Sequence, residues 1–119
     1  VNNGETIEIW GDGTQTRSFL FIDECVEATI RLMRSDFEGP VNIGSEEMVT
    51  INQLVSIVSE ISNKKVKVKH IPGPLGVRGR NSDNTLIKEK LHWAPSQSLR
   101  DGLLPTYEWI HKQIDAKEF

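Results

Sequence analysis

A chain of 119 residues, 37% hydrophobic and 26% charged, is sized for one domain with a single modest core. Its formal net charge of −3 argues against a general nucleic-acid binder, which gains affinity by neutralising phosphates, and no apolar run is long enough to span a bilayer. The single cysteine, Cys25, excludes an internal disulfide framework and a multi-cysteine zinc site, so a cytoplasmic location is expected. Val1 to Glu5 carries no start signal and no Met, which points to a piece of a longer protein.

Thr6 to Trp10 alternates polar and apolar residues, as a half-buried strand does, and Ser18 to Ile22 reads as a second, more buried strand. Gly11-Asp12-Gly13-Thr14 between them is turn chemistry, so the sequence predicts a hairpin. Asp23 is placed to cap a helix from Glu24 to about Ser35, with Cys25, Val26, Ile30 and Met33 near one apolar face. Pro40 to Gly44 reads as a short buried strand. Thr50 and Gln53 have capping-box spacing ahead of a helix whose apolar residues are Ile51, Leu54, Val55, Val58 and Ile61.

Val66 to Ile71 alternates at period two, with Lys67 and Lys69 in water as a solvated face. Pro72 to Ser82, with two prolines and three glycines, excludes a regular element. Asp83 is placed to cap a helix from Asn84 to Leu91, and a final helix begins near Ser98, with Pro105 set to kink it or shift its start. The sum is an α/β chain of short strands with about four helices.

The chemistry rests on three arginines. Arg17 stands beside an apolar strand, where a guanidinium needs an anionic partner. Arg78 and Arg80 lie in the glycine-rich Gly76-Val77-Arg78-Gly79-Arg80, where backbone approaches a ligand closely. One reading is surface solvation or ordinary ion pairs; the other is a diphosphate clamp, because guanidinium forks match phosphate oxygens. Asn81, Ser82 and Asn84 would add neutral donors, and Gln15 and Thr16 would reach a base or sugar hydroxyl.

Other chemistries lack their residues. Gly11-Asp12-Gly13 has no third glycine and opens a strand, so it is not a dinucleotide fingerprint. His70, His92 and His111 have no metal-ligand spacing. Four residues after Tyr107 stands His111, so no Tyr-x-x-x-Lys pair exists, and Cys25 reads as packing. No catalytic residue and no metal ligand is assigned.

Gly11-Asp12-Gly13-x-Gln15-x-Arg17-Ser18-Phe19, Phe21-Ile22-Asp23-Glu24, Val41-Asn42-Ile43-Gly44-Ser45 and Leu91-His92-Trp93 resemble the C-terminal half of the extended short-chain dehydrogenase/reductase epimerases and dehydratases of sugar nucleotides. Gly76-Val77-Arg78-Gly79-Arg80-Asn81-Ser82-Asp83-Asn84 is similar to the branch of that family that epimerises GDP-mannose. The resemblance implies a C-terminal, GDP-sugar-binding domain over residues 1–119, with the Rossmann half absent. It implies that Gln15, Thr16, Arg17, Arg80 and, with it, Arg78 bind the substrate. It places the NAD site, the tyrosine/lysine pair and the catalytic cysteine in the N-terminal Rossmann domain, so the chain alone is expected to be inactive. The expected partners are a GDP-sugar, that missing domain and, in a homo-oligomer, further copies. A fragment of a UDP- or dTDP-sugar 4-epimerase or dehydratase, or a non-catalytic self-associating module, are the alternatives. His92 departs from the family's Leu-Gly-Trp, and Pro105 from its usual helix former.

Overall fold

The computed structural model describes residues 1–116. Its elements run β1 (Thr6–Trp10), β2 (Thr16–Ser18), α1 (Ile22–Met33), β3 (Met48–Thr50), α2 (Ile51–Ser62), β4 (Lys67–Ile71), β5 (Gly79–Arg80), α3 (Thr85–Leu91) and α4 (Leu99–Asp115). The α/β class and four helices agree with the sequence pattern, but the strands pair differently from its simplest reading.

No hairpin joins the first two strands. Gly11 and Gly13 do take positive φ (76° and 73°), the turn chemistry expected of them. That turn sends the chain into a different sheet. β1 pairs with β4 in parallel, Thr6 opposite Lys67 through Trp10 opposite Ile71. β2 is the centre of a second sheet, antiparallel to β3 on one side and parallel to β5 on the other. Turn residues fix a local reversal, but not which strand lies next door.

The second strand ends at Ser18, not Ile22, because Phe21 is already the N-cap of α1. Asp23 therefore lies in the first helical turn, where its charge meets the positive end of the helix dipole. The inward face of α1 is also not the expected one. Glu24 and Ala28 are buried, while Val26, Ile30 and Met33 are exposed. Ala28 is small enough to let the helix approach Ile87, Leu91 and Trp93, and Leu20, Leu32, Phe37, Val41 and Ile43 pack around that cluster.

Pro40 to Gly44 forms no strand; β3 lies further on, at Met48–Thr50. The predicted capping box is present: the Thr50 hydroxyl accepts from the Gln53 amide, and the Gln53 side chain accepts from the Thr50 amide. Within the irregular 72–82 stretch, Gly79–Arg80 adds a two-residue strand. α3 starts at Thr85; its N-cap is Asn84, and Asp83 accepts from the Thr85 amide and hydroxyl. His92 takes the left-handed conformation (φ 50°) at the C-cap of α3, a position glycine occupies without strain. α4 begins where expected, capped by Ser98, and runs through Pro105. The Thr106 hydroxyl donates to the Gly102 carbonyl in the same turn.

Candidate functional site

Arg17 and Arg80, more than sixty residues apart in sequence, are register partners on adjacent parallel strands. Directly opposed residues share a face of the sheet, so both guanidinium groups project on the same side. They line one cavity of about 280 Å³ together with Ser18, Gly44, Ser45, Asn81 and Ser82, and an apolar wall from Leu20 and Ile43. Among the described residues no carboxylate lines it. Arg17 is half-buried, and its Nη1 donates to the Thr16 carbonyl at 2.7 Å. Among the described residues neither Arg17 nor Arg80 has a salt bridge. Two unneutralised cations in one small cavity attract an anion with oxygens to spare for both.

The backbone around the cavity is built for this closeness. A Cβ added at Gly44 would sit 2.5 Å from the Ser82 Cβ, so only glycine permits the approach. Asn84 is 1% exposed and clamps the two loops. Its Nδ2 donates to the Gly44 carbonyl (2.8 Å), its Oδ1 accepts from the Ser82 hydroxyl (2.7 Å), and its amide donates to Glu46 Oε1. Asn84 is therefore spent on holding the wall and does not face the cavity. Ser18 and Ser45 also line the cavity; in the sequence they stood within family motifs but were given no role at the site.

Arg78 and Gln15 lie elsewhere. They line a second cavity of about 190 Å³ with Asp12, Thr14, Leu75 and Gly76. Asp12 is held below the usual carboxylate range by the Thr14 hydroxyl and amide, with the Arg78 charge as a smaller cause. Gln15 Nε2 donates to the Trp10 carbonyl at 3.1 Å, while its Oε1 is enclosed without a protein partner. Arg17 reaches toward this second cavity: a Cβ added at Gly76, which lines it, would lie 3.8 Å from the Arg17 Nη2. Thr16 lines neither cavity: its amide donates to the Arg78 carbonyl at 2.9 Å, and its hydroxyl crowds Gly79.

The Gly11–Gly13 turn leads into β2 and not into a helix, so it offers no helix N-terminus to a dinucleotide pyrophosphate. Among the described residues no group of three or more His, Cys, Asp or Glu side chains could hold a metal ion, and no helix is long and apolar enough to cross a membrane.

Comparison with known proteins places this geometry. Residues 1–44 match the model of the NAD dependent epimerase/dehydratase family. The chain is 59% identical over 96% of its length to GDP-mannose 3,5-epimerase 1 of rice (Oryza sativa subsp. indica), and equally to GDP-mannose 3,5-epimerase of Arabidopsis thaliana, covering 30% of each. Among solved structures, UDP-glucose 4-epimerase from Thermotoga maritima, with UDP-glucose, superposes at a TM-score of 0.86 and 34% identity, over 92% of this chain and 36% of that one. UDP-glucuronic acid 4-epimerase from Bacillus cereus, in complex with UDP-glucuronic acid and NAD, gives 0.81 and 30%, over 90% and 35%. The chain spans about a third of the length of these relatives, and its first 44 residues carry the match to the NAD dependent epimerase/dehydratase family.

Proposed function

We propose that this chain supplies the sugar-nucleotide-binding face of an NAD-dependent epimerase acting on a GDP-sugar, as in GDP-mannose 3,5-epimerase. The observation that carries the reading is the side-by-side placement of Arg17 and Arg80 over a cavity without carboxylates. Two guanidinium forks offer paired donors to the two phosphates of a nucleotide diphosphate, and each bidentate contact also fixes orientation. Arg78 and Gln15, in the adjoining cavity, extend the surface toward the nucleoside or the sugar, and Thr16 fixes the strand that carries Arg17.

The oxidising cofactor and the groups that move protons lie in the remaining two thirds of the enzyme. The chain alone therefore binds but does not epimerise. In the assembled enzyme, the described residues bind the diphosphate, orient the sugar and exclude water from one side; NAD supplies the transient oxidation.

Titrating the chain with GDP-mannose by calorimetry, as wild type and as Arg17→Ala and Arg80→Ala, tests the reading. Each substitution should weaken binding by roughly 10- to 150-fold, the loss of about 1.5–3 kcal/mol for a hydrogen bond to a charged group. Unchanged affinity in both variants removes the clamp. Epimerised product from the chain with GDP-mannose and NAD refutes its inactivity. A UDP-sugar substrate is the second reading, favoured by the likeness to the Thermotoga enzyme with UDP-glucose. Competition among GDP, UDP and dTDP decides between them, and GDP is expected to win.

A further inference from the structure

The chain crosses from the first sheet to the second through residues 11–15, and the N-terminal end of α2 holds that crossing. An α-helix begins with amides that have no partner inside it. Here the Ile51 amide donates to the Gln15 carbonyl (3.2 Å) and the Asn52 amide to the Gly13 carbonyl (3.1 Å). The Asn52 side chain adds a third tie, its Nδ2 donating to the Asp12 carbonyl at 3.0 Å. A Cβ at Gly13 would collide with that side chain, so glycine there makes room for it. On its other side the Asn52 Oδ1 lies 2.9 Å from the His70 Nε2. A backbone carbonyl only accepts, so the amide nitrogen faces Asp12, the oxygen faces His70, and that ring nitrogen donates. His70 stands opposite Ile9 in the first sheet, while Asn52 follows β3 of the second sheet by two residues. One half-buried side chain thus bonds the crossing loop and the first sheet from a base in the second.

We infer that Asn52, which lines neither cavity, is a positioning residue: by tying the crossing loop to both sheets it sets where Gln15 stands at the second cavity. Asp12, Thr14 and Gln15 all line that cavity, and all belong to the held loop. Their own side chains bond close to home. The Asp12 carboxylate accepts from the Thr14 amide and hydroxyl, and the Gln15 Nε2 donates to the Trp10 carbonyl. Between Gly11, bonded to the Ile71 carbonyl, and Thr16, bonded to the Arg78 carbonyl, the loop is tied to the rest of the fold by Ile51 and Asn52. The two backbone amides persist in any variant but proline. The Asn52 side chain is the tie that a substitution removes. The inference deepens the sugar-nucleotide reading and rests on it for what Gln15 meets.

Two measurements on this chain test it: amide hydrogen exchange without ligand, read residue by residue, and calorimetric titration with GDP-mannose. Asn52→Asp keeps the shape and the acceptor for His70, loses the donor to Asp12, and puts a negative charge at a helix N-terminus, where it is stabilising. The urea midpoint should therefore stay within about 0.3 M of wild type. Exchange at the amides of Thr14, Ile51 and residue 52 should quicken by about tenfold or more, with Val58 and Ile61, deeper in α2, unchanged. Asn52→Ala, which adds no charge, should give the same exchange result and serves if the aspartate destabilises the fold. GDP-mannose should bind Asn52→Asp about fivefold more weakly. In a Gln15→Ala background the same substitution should cost less than about twofold, because Asn52 acts through Gln15. Unchanged loop exchange in both Asn52 variants overturns the inference, and so do losses of affinity that simply add. Failure of the wild-type chain to bind GDP-mannose counts against the sugar-nucleotide reading, while the exchange rates, read without ligand, still decide whether Asn52 holds the loop.

Discussion

Glu24 is the charged side chain on which the junction of α1 with the loop before α4 turns. It is 7% exposed, and its Oε1 accepts from the Ser96 amide (2.5 Å), the Ser96 hydroxyl (2.8 Å) and the Gln97 amide (3.1 Å). Glu24→Ala removes all three. Hydrogen bonds to a charged group contribute about 1.5–3 kcal/mol each. Ser96 and Gln97 are exposed, so water takes up their donors and the three losses do not add. The expected net cost is about 2–4 kcal/mol, a large share of the roughly 5–15 kcal/mol that holds a domain together. In urea, with a slope of about 2 kcal/mol/M, the unfolding midpoint should fall by about 1–2 M. Glu24→Gln keeps the shape and one acceptor, so it should lose about half as much. A midpoint shift below about 0.3 M for Glu24→Ala refutes the argument. Burial of Trp93 and Leu99, on either side of the loop, would then be what docks it.

Gly44→Ala forces a Cβ to within 2.5 Å of Ser82, so it should destabilise by about 1–3 kcal/mol and weaken GDP-mannose binding, both measurable on one preparation. His92→Gly removes a left-handed non-glycine residue and should stabilise the fold by about 0.5–1 kcal/mol after the entropy of glycine is set against it, seen as a higher urea midpoint. Arg100→Ala breaks an exposed pair with Glu60 and should change stability by less than about 0.5 kcal/mol, although the contact is short. The Asp83 carboxyl is held below its ordinary value by the Thr85 hydroxyl and then by the Thr85 amide. A carboxyl depressed in the folded state contributes stability above its unfolded pKa and loses it as pH falls through the folded one. Acid titration followed by circular dichroism should therefore show less loss of stability below about pH 4 for Asp83→Asn than for the wild type.

Much of this was legible in the chain because it is local. Alternation marked β1 and β4, the Thr50–Gln53 spacing marked the start of α2, and Ser98 marked α4. What depended on neighbours was not. The Gly11–Gly13 turn looks the same whether it joins two paired strands or passes from one sheet to another, and here it passes. Periodicity in α1 points to the face of Val26, Ile30 and Met33, yet the helix packs by Ala28 and a buried glutamate. At the cavity, residue chemistry marked Arg17, Arg78 and Arg80 together as groups that seek an anion, and the family resemblance set Arg17 and Arg80 ahead of Arg78. Arg78, two residues away, would share the face of Arg80 on a continuous strand, but β5 is only Gly79–Arg80, so Arg78 lies in the preceding loop and lines a different cavity. Gly44 and Asn84 hold the cavity walls from positions that look like loop filler.

The strand that carries Arg80 is two exposed residues long, and its link to the rest of the sheet is its pairing with β2. Closing a loop of more than sixty residues for so short a ladder costs chain entropy that the ladder scarcely repays. Phosphates bridging the two arginines would add the missing tie, so occupancy and local order rise together: the ligand acts as a staple as much as a guest.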